Sequence, residues 1–156
     1  MKAKRAIGPV SAMFAAAVLG TFAAPPAGAD PLSAALHQRI SAARQACGPI
    51  GADPLLTAAA QRHANDVLRT GVASHSGSDG SSPGARIAAA GYSPTRATGE
   101  IVYWGAGLAA NPGAAVDWWL KSPPHRALLL NCTFTAGGFA VARDGNRMTA
   151  VVDFGG

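Results

Sequence analysis

The sequence predicts an α+β domain, and three features of the chain carry that prediction. Apolar residues recur at helical spacing through the first half of the chain. Proline-initiated helix starts punctuate its middle, and its end alternates with the period of a β-hairpin.

Taken in order, Leu32 to Cys47 reads as a helix with Leu36, Ile40, Ala43 and Cys47 on one face, ended by Gly48 and Pro49. Asp53-Pro54 supplies a cap and a first-turn proline for a second helix through about Arg69, with Leu55, Ala59 and Val67 in its apolar stripe and Gly71 as its stop. Ser74 to Gly84 is a run of small and polar residues, broken by one histidine, and predicts a loop. Within it Asp79 and Gly80 have the chemistry of a turn, to which Arg86 anchors the next helix. That short helix is capped by Ser82-Pro83 and closed by Gly91. Thr98 to Trp104 has the β-branched and aromatic content of a strand. Asn111-Pro112 opens a helix through about Lys121 that offers Val116, Trp119 and Leu120 to a core, and His125 to Leu130 adds one more turn after Ser122-Pro123-Pro124. From Phe134 the chain predicts a hairpin turning at Asp144-Gly145-Asn146, with Phe139 and Val141 on one face.

Ahead of these elements lies a segment with the design of an export signal. Lys2, Lys4 and Arg5 precede an uncharged stretch from Ile7 to Ala24, then Pro25 and Pro26, then the small residues Ala27-Gly28-Ala29. Cleavage is expected after Ala29, so residues 1–29 are a signal peptide and residues 30–156 a single domain, secreted to the extracellular space or the cell envelope. The alternative, an uncleaved anchor, conflicts with Gly8, Pro9 and the paired prolines, which disfavour a spanning helix. No transmembrane span is expected in the mature chain. Removing the three leader cations from thirteen basic side chains, against eight acids, leaves a net charge of +2. The remaining arginines are scattered, which gives no case for nucleic-acid binding.

The two cysteines, Cys47 and Cys132, are expected to form a disulfide in an oxidising compartment, with two buried free thiols as the alternative. Closing so long a loop contributes ~4–5 kcal/mol in the chain-entropy model.

Chemistry concentrates on few residues. His37 falls on the polar side of the first helix and is expected to face solvent, and His63 is expected to make a structural hydrogen bond from the second helix. His75 and His125 sit in short segments bounded by helix breakers, where binding groups gather. Glu100 is the only glutamate in the chain and starts an otherwise apolar strand, EIVYW. Two readings stay open for it: a carboxylate bonded to backbone amides that pins a loop, or one that faces two imidazoles and serves a cation or a proton transfer. The serine-hydrolase elbow G-x-S-x-G and the zinc-protease HEXXH are absent, and the glycine-rich loop lacks the lysine of a phosphate-binding loop.

In combination, AAAQRHANDVLRTG, SHSGSDGSSPGARIAAAGY, GEIVYW, VDWWLKSPPHRALLLN, FTAGGFA and VVDFG resemble, in this order, the bacterial branch of the CAP superfamily, which includes sperm-coating glycoproteins, antigen 5 allergens and pathogenesis-related proteins. The resemblance covers roughly Leu32 to Gly155. It implies an α-β-α sandwich, with a central antiparallel sheet between helical layers. It also implies a cleft in which His75 and Glu100 match the first histidine and first acid of the superfamily's tetrad. The position of the second acid holds Ser122 and that of the second histidine holds Thr133, while His125 matches the histidine of the bacterial S-P-G-H-R segment. Ile101 replaces the usual asparagine after the glutamate. Pro124 replaces the usual glycine before His125, which implies a differently shaped loop there.

The expectation is therefore a secreted, non-catalytic binding module for a small apolar, lipid or envelope ligand, monomeric, with a cleft formed by His75, Glu100 and His125. No cofactor is required, but the same three residues suit weak binding of zinc or another divalent cation. A metal-assisted hydrolase and a structural envelope protein with a vestigial cleft are the alternatives.

Overall fold

The computed structural model describes residues 30–94 and 96–156; the expected signal peptide, residues 1–29, lies outside them. The elements run α1 (Pro31–Ala43), β1 (Gly51–Ala52), α2 (Pro54–Thr70), α3 (Pro83–Ala89), β2 (Thr98–Ala106), α4 (Pro112–Lys121), α5 (Pro123–Leu129), β3 (Ala136–Asp144) and β4 (Arg147–Gly155). Each of α1 to α5 has proline in its first turn. Asp30, Asp53, Ser82 and Asn111 cap α1 to α4 through side-chain oxygens that accept first-turn amides. Pro124 does not open a loop. It lies in the first turn of α5, so His125 stands on a helix.

The strands form one sheet in the order β1-β3-β4-β2. β2, β4 and β3 are antiparallel as expected, and the hairpin turns at Gly145 and Asn146. The two-residue β1 adds a parallel edge beside β3, so the sheet is mixed rather than wholly antiparallel. Nothing in Gly51-Ala52 marks a strand by pattern; it pairs because the chain passes β3 on its way into α2.

Helices cover both faces, giving an α-β-α sandwich. Against one face pack α1, α4 and α5, where Leu36, Ile40, Trp119 and Leu129 meet Ile101, Phe139, Val141, Val152 and Phe154. Against the other packs α2, where Ala60, Ala64 and Val67 meet Val102, Ala140, Ala142 and Val151; α3 rests on α2 through Ile87, Leu56 and Ala59. Of the expected α2 stripe Ala59 and Val67 are buried, but Leu56 takes the place of Leu55 at its start: Leu56 is fully buried, whereas Leu55 is 41% exposed beside the Asp53 cap. Gly138 permits this face to close, since a Cβ there would lie 2.0 Å from the Leu56 carbonyl carbon. No described helix is long and apolar enough to cross a membrane.

Two ties hold the segment after α5. Cys47 and Cys132 are disulfide-bonded with Cα atoms 5.0 Å apart. Arg44, buried at the end of α1, donates to the carbonyls of Leu129, Asn131 and Phe134, and burial pulls its pKa down. A lone arginine after an apolar helix gave no sequence signal for that role. His37 also departs from expectation: it is half-buried, stacked on Phe139 and hydrogen-bonded to the Ile50 carbonyl.

Candidate functional site

The alternation of β2 sends Ile101 and Tyr103 toward the α4 layer, and Glu100 and Val102 toward the α2 layer. Ile101 therefore never faces the site. Glu100 is buried, and both of its oxygens are engaged. Oε2 accepts from an Arg86 guanidinium nitrogen at 2.6 Å, and Oε1 accepts from His75 Nδ1 at 2.8 Å. Arg86, equally buried on α3, also donates to the His75 carbonyl at 2.9 Å and the Ser81 carbonyl at 2.7 Å. Its expected role as an anchor of the loop is thus half of what it does; the other half is to balance the charge of Glu100. No spacing rule links Arg86 to Glu100, because helix and strand meet only in three dimensions.

The loop that carries His75 is fixed from below. His63 on α2 donates Nε2–H to the Ser74 carbonyl at 2.7 Å, the structural hydrogen bond expected of it. Asp66 accepts the Ser78 amide at 2.8 Å and the Ser78 hydroxyl at 2.6 Å, bonds that hold its carboxyl below the ordinary range. Asp79 makes the expected turn by accepting the Ser81 amide. Gly80 takes φ +80°, a conformation that costs L-residues with side chains.

His75 and His125 line one cleft of about 510 Å³, together with Ala73, Ser74, Val102, Tyr103, Trp104 and Trp118. A carboxylate can only accept, so neutral His75 carries its hydrogen on Nδ1 and leaves the Nε2 lone pair free. Its side chain is 55% exposed while Glu100 behind it is sealed. On the opposite wall, His125 Nδ1 lies 2.7 Å from the Ser122 hydroxyl, and its ring packs 4.7 Å from that of Trp118. Burial, and then the nearby His75, lower the His125 pKa. Ser122, expected at the position of a second acid, bonds the His125 imidazole. Trp118 and Trp104, 47% and 38% exposed, line the cleft, and Tyr103 donates its hydroxyl to the Ala109 carbonyl.

The donor chemistry fits a divalent cation only in part. Two imidazole nitrogens are available, but Glu100 is committed to Arg86 and His75. Among the described residues no three His, Cys, Asp or Glu side chains converge as a metal cluster. A second cavity of about 370 Å³ lies between α2 and the 77–81 turn; its exposed arginines Arg62 and Arg69 already pair with Asp79 and Asp66.

The family model for the cysteine-rich secretory protein family, CAP, matches residues 37–154. The chain belongs to the CAP family. Among solved structures, this CAP domain is similar to an outer surface protein from Borrelia burgdorferi at 25% identity and a TM-score of 0.67, covering 78% of this chain and 90% of that one. It shares its fold with an extracellular protein containing an SCP domain from Bacillus anthracis, at 23% identity, a TM-score of 0.60 and coverage of 78% and 40%. A cysteine-rich secretory protein from Staphylococcus aureus has the same fold at 16% identity and a TM-score of 0.62, with coverage of 84% and 40%. No curated protein matches the chain.

Proposed function

We propose that this CAP domain is exported and acts outside the cell or in its envelope as a monomeric, non-catalytic binding module. Its cleft takes a small ligand with an apolar body and a polar end. The observation that carries the reading is the lining of that cleft: Val102, Tyr103, Trp104 and Trp118 provide apolar surface, while His75 and His125 supply two oriented polar contacts. Aromatic rings that are already half-buried lose little freedom on binding a chain or ring system. The carboxylate that a hydrolase would use as a base is neutralised by Arg86, which supports binding over turnover. The extracellular and outer-surface proteins among its structural relatives, together with the disulfide, support the location.

A weak zinc-like cation is a second reading, favoured by one observation. The Glu100–His75 Nδ1 bond is the carboxylate–imidazole pair that commonly stands behind a metal-bound histidine. Such an ion would rest on His75 and His125 alone, with Glu100 orienting rather than ligating.

Titration of the exported protein with a fluorescent long-chain fatty acid tests the binding reading. Saturable binding is expected, weakened roughly 30-fold, or about 2 kcal/mol, by Trp118→Ala. Hydrolysis of peptides or esters that depends on His75 would replace it with the hydrolase reading. Absence of saturable binding in wild type would favour a structural envelope role.

A further inference from the structure

We propose that Asp153 is a proton-bearing, neutral acid that donates its carboxyl hydrogen to Glu100, and so acts as a positioning residue for His75. Asp153 lies directly opposite Glu100 in the β2–β4 register, on the same face of the sheet. It is 0% exposed, and neither of its oxygens meets a hydrogen-bond donor among the described residues. An ionised carboxylate in that position would carry a buried charge with no partner, at a cost proteins avoid. Two carboxyl groups in contact satisfy each other when they share one proton, one donating and the other accepting.

The surroundings support one negative charge and no more. From α3, the single guanidinium of Arg86 is already bound to Glu100. From α2, His63 directs Nε2–H at Ser74, with that nitrogen 3.9 Å from Glu100. From the loop, His75 directs Nδ1 at Glu100. On its other side Asp153 pairs with Gly138 of β3, which brings no side chain, and the α2 backbone closes over that glycine. Burial first, and then the charge of Glu100, push the Asp153 carboxyl up to about 8, with Arg86 opposing.

Asp153 touches no ligand. It acts through Glu100, which its hydrogen bond holds in the orientation that meets His75 and Arg86; the functional meaning of that arrangement rests on the cleft reading above. The linkage has a definite sign. The folded state keeps a proton that an unfolded aspartate releases near pH ~3.9. Stability contributed by that retained proton is therefore full below that pH, declines as pH rises, and is gone above about 8.

Carboxyl carbon NMR and thermal melting of the exported chain, from about pH 3 to about pH 9, test the proposal on wild type, Asp153→Asn and Asp153→Ala. A carboxyl resonance titrating near 8 is expected in wild type and absent in both variants. Asp153→Asn replaces the hydroxyl donor with an amide N–H, so it should fold, keep the His75 Nδ1–H tautomer, and melt above wild type by a margin that widens with pH. Asp153→Ala, lacking the donor, should lose part of that tautomer. An Asp153 carboxyl titrating near ~4, a melting difference independent of pH, or an Asp153→Asn chain that does not fold would each overturn the proposal. None of these readouts uses a ligand, so a cleft that binds nothing would leave the acid pair standing, and an ordinary Asp153 would leave the binding reading standing.

Discussion

On the α1–α4–α5 face of the sheet, Trp119, Phe139, Phe154 and Ile101 fill a thick apolar layer. On the α2–α3 face the same strands present Val102, Ala140, Ala142 and Val151, and the helix comes close enough to need Gly138. Beyond those small residues this second face ends in a buried polar cluster, the Glu100–Arg86 ion pair with Asp153 and His63. The difference shows how one sheet divides its duties. One face stabilises the fold through volume, and the other fixes a histidine at the edge of a cleft through charge and hydrogen bonding.

Removing volume from the thick face should have the largest effect. Trp119→Ala is expected to lower stability by about 4 kcal/mol in denaturant unfolding, with little dependence on pH, because the loss is one of contact and cavity. A pH-dependent loss would mean that the faces are not separable.

Arg86→Met should cost slightly less, about 3 kcal/mol near neutral pH, by leaving Glu100 without a counter-charge. Its signature differs from that of Trp119→Ala: the deficit should shrink as pH falls, because protonation removes the stranded charge. Equal deficits at acid and neutral pH would show that Arg86 matters only as packing.

The strong regularities of the chain were legible without coordinates. Asp53-Pro54, Ser82-Pro83 and Asn111-Pro112 declared their helices because capping and proline chemistry are local. The hairpin was readable from its alternation and its turn residues. His75, Glu100 and His125 could be singled out, and the structure places both imidazoles in one cleft with Glu100 behind His75. Arg86 as the partner of Glu100, Ser122 as the partner of His125, and Asp153 as the acid facing Glu100 were not legible. Each depends on register or on helix–sheet contact between distant segments. Asp153 in VVDFG reads locally as an interruption of a strand, and only its pairing with Glu100 gives it a meaning.

A smaller effect concerns the far wall of the cleft. The His125 pKa is lowered, so the native state binds fewer protons than the unfolded chain just below pH ~6.5. Stability should be complete above that pH and fall as acid charges the ring, a loss that His125→Gln abolishes in melts across the acid range. A wild-type profile unchanged by the substitution would detach His125 from the folded core of the cleft. Smallest of all is Leu55→Ala, expected within ~0.5 kcal/mol of wild type because the residue lies outside the α2 stripe. A loss of 2 kcal/mol or more would restore Leu55 to the core and shift the register of the thin face.

The central claim is that the buried cluster exists to present His75 to the cleft with its Nε2 lone pair free. Nitrogen NMR of the histidine rings, recorded where His75 is uncharged, reads this directly through the tautomer. The account predicts the Nδ1–H form for His75, converted to a tautomer mixture in Glu100→Gln. An Nε2–H tautomer in wild type would contradict it, since Glu100 would then not be holding the ring.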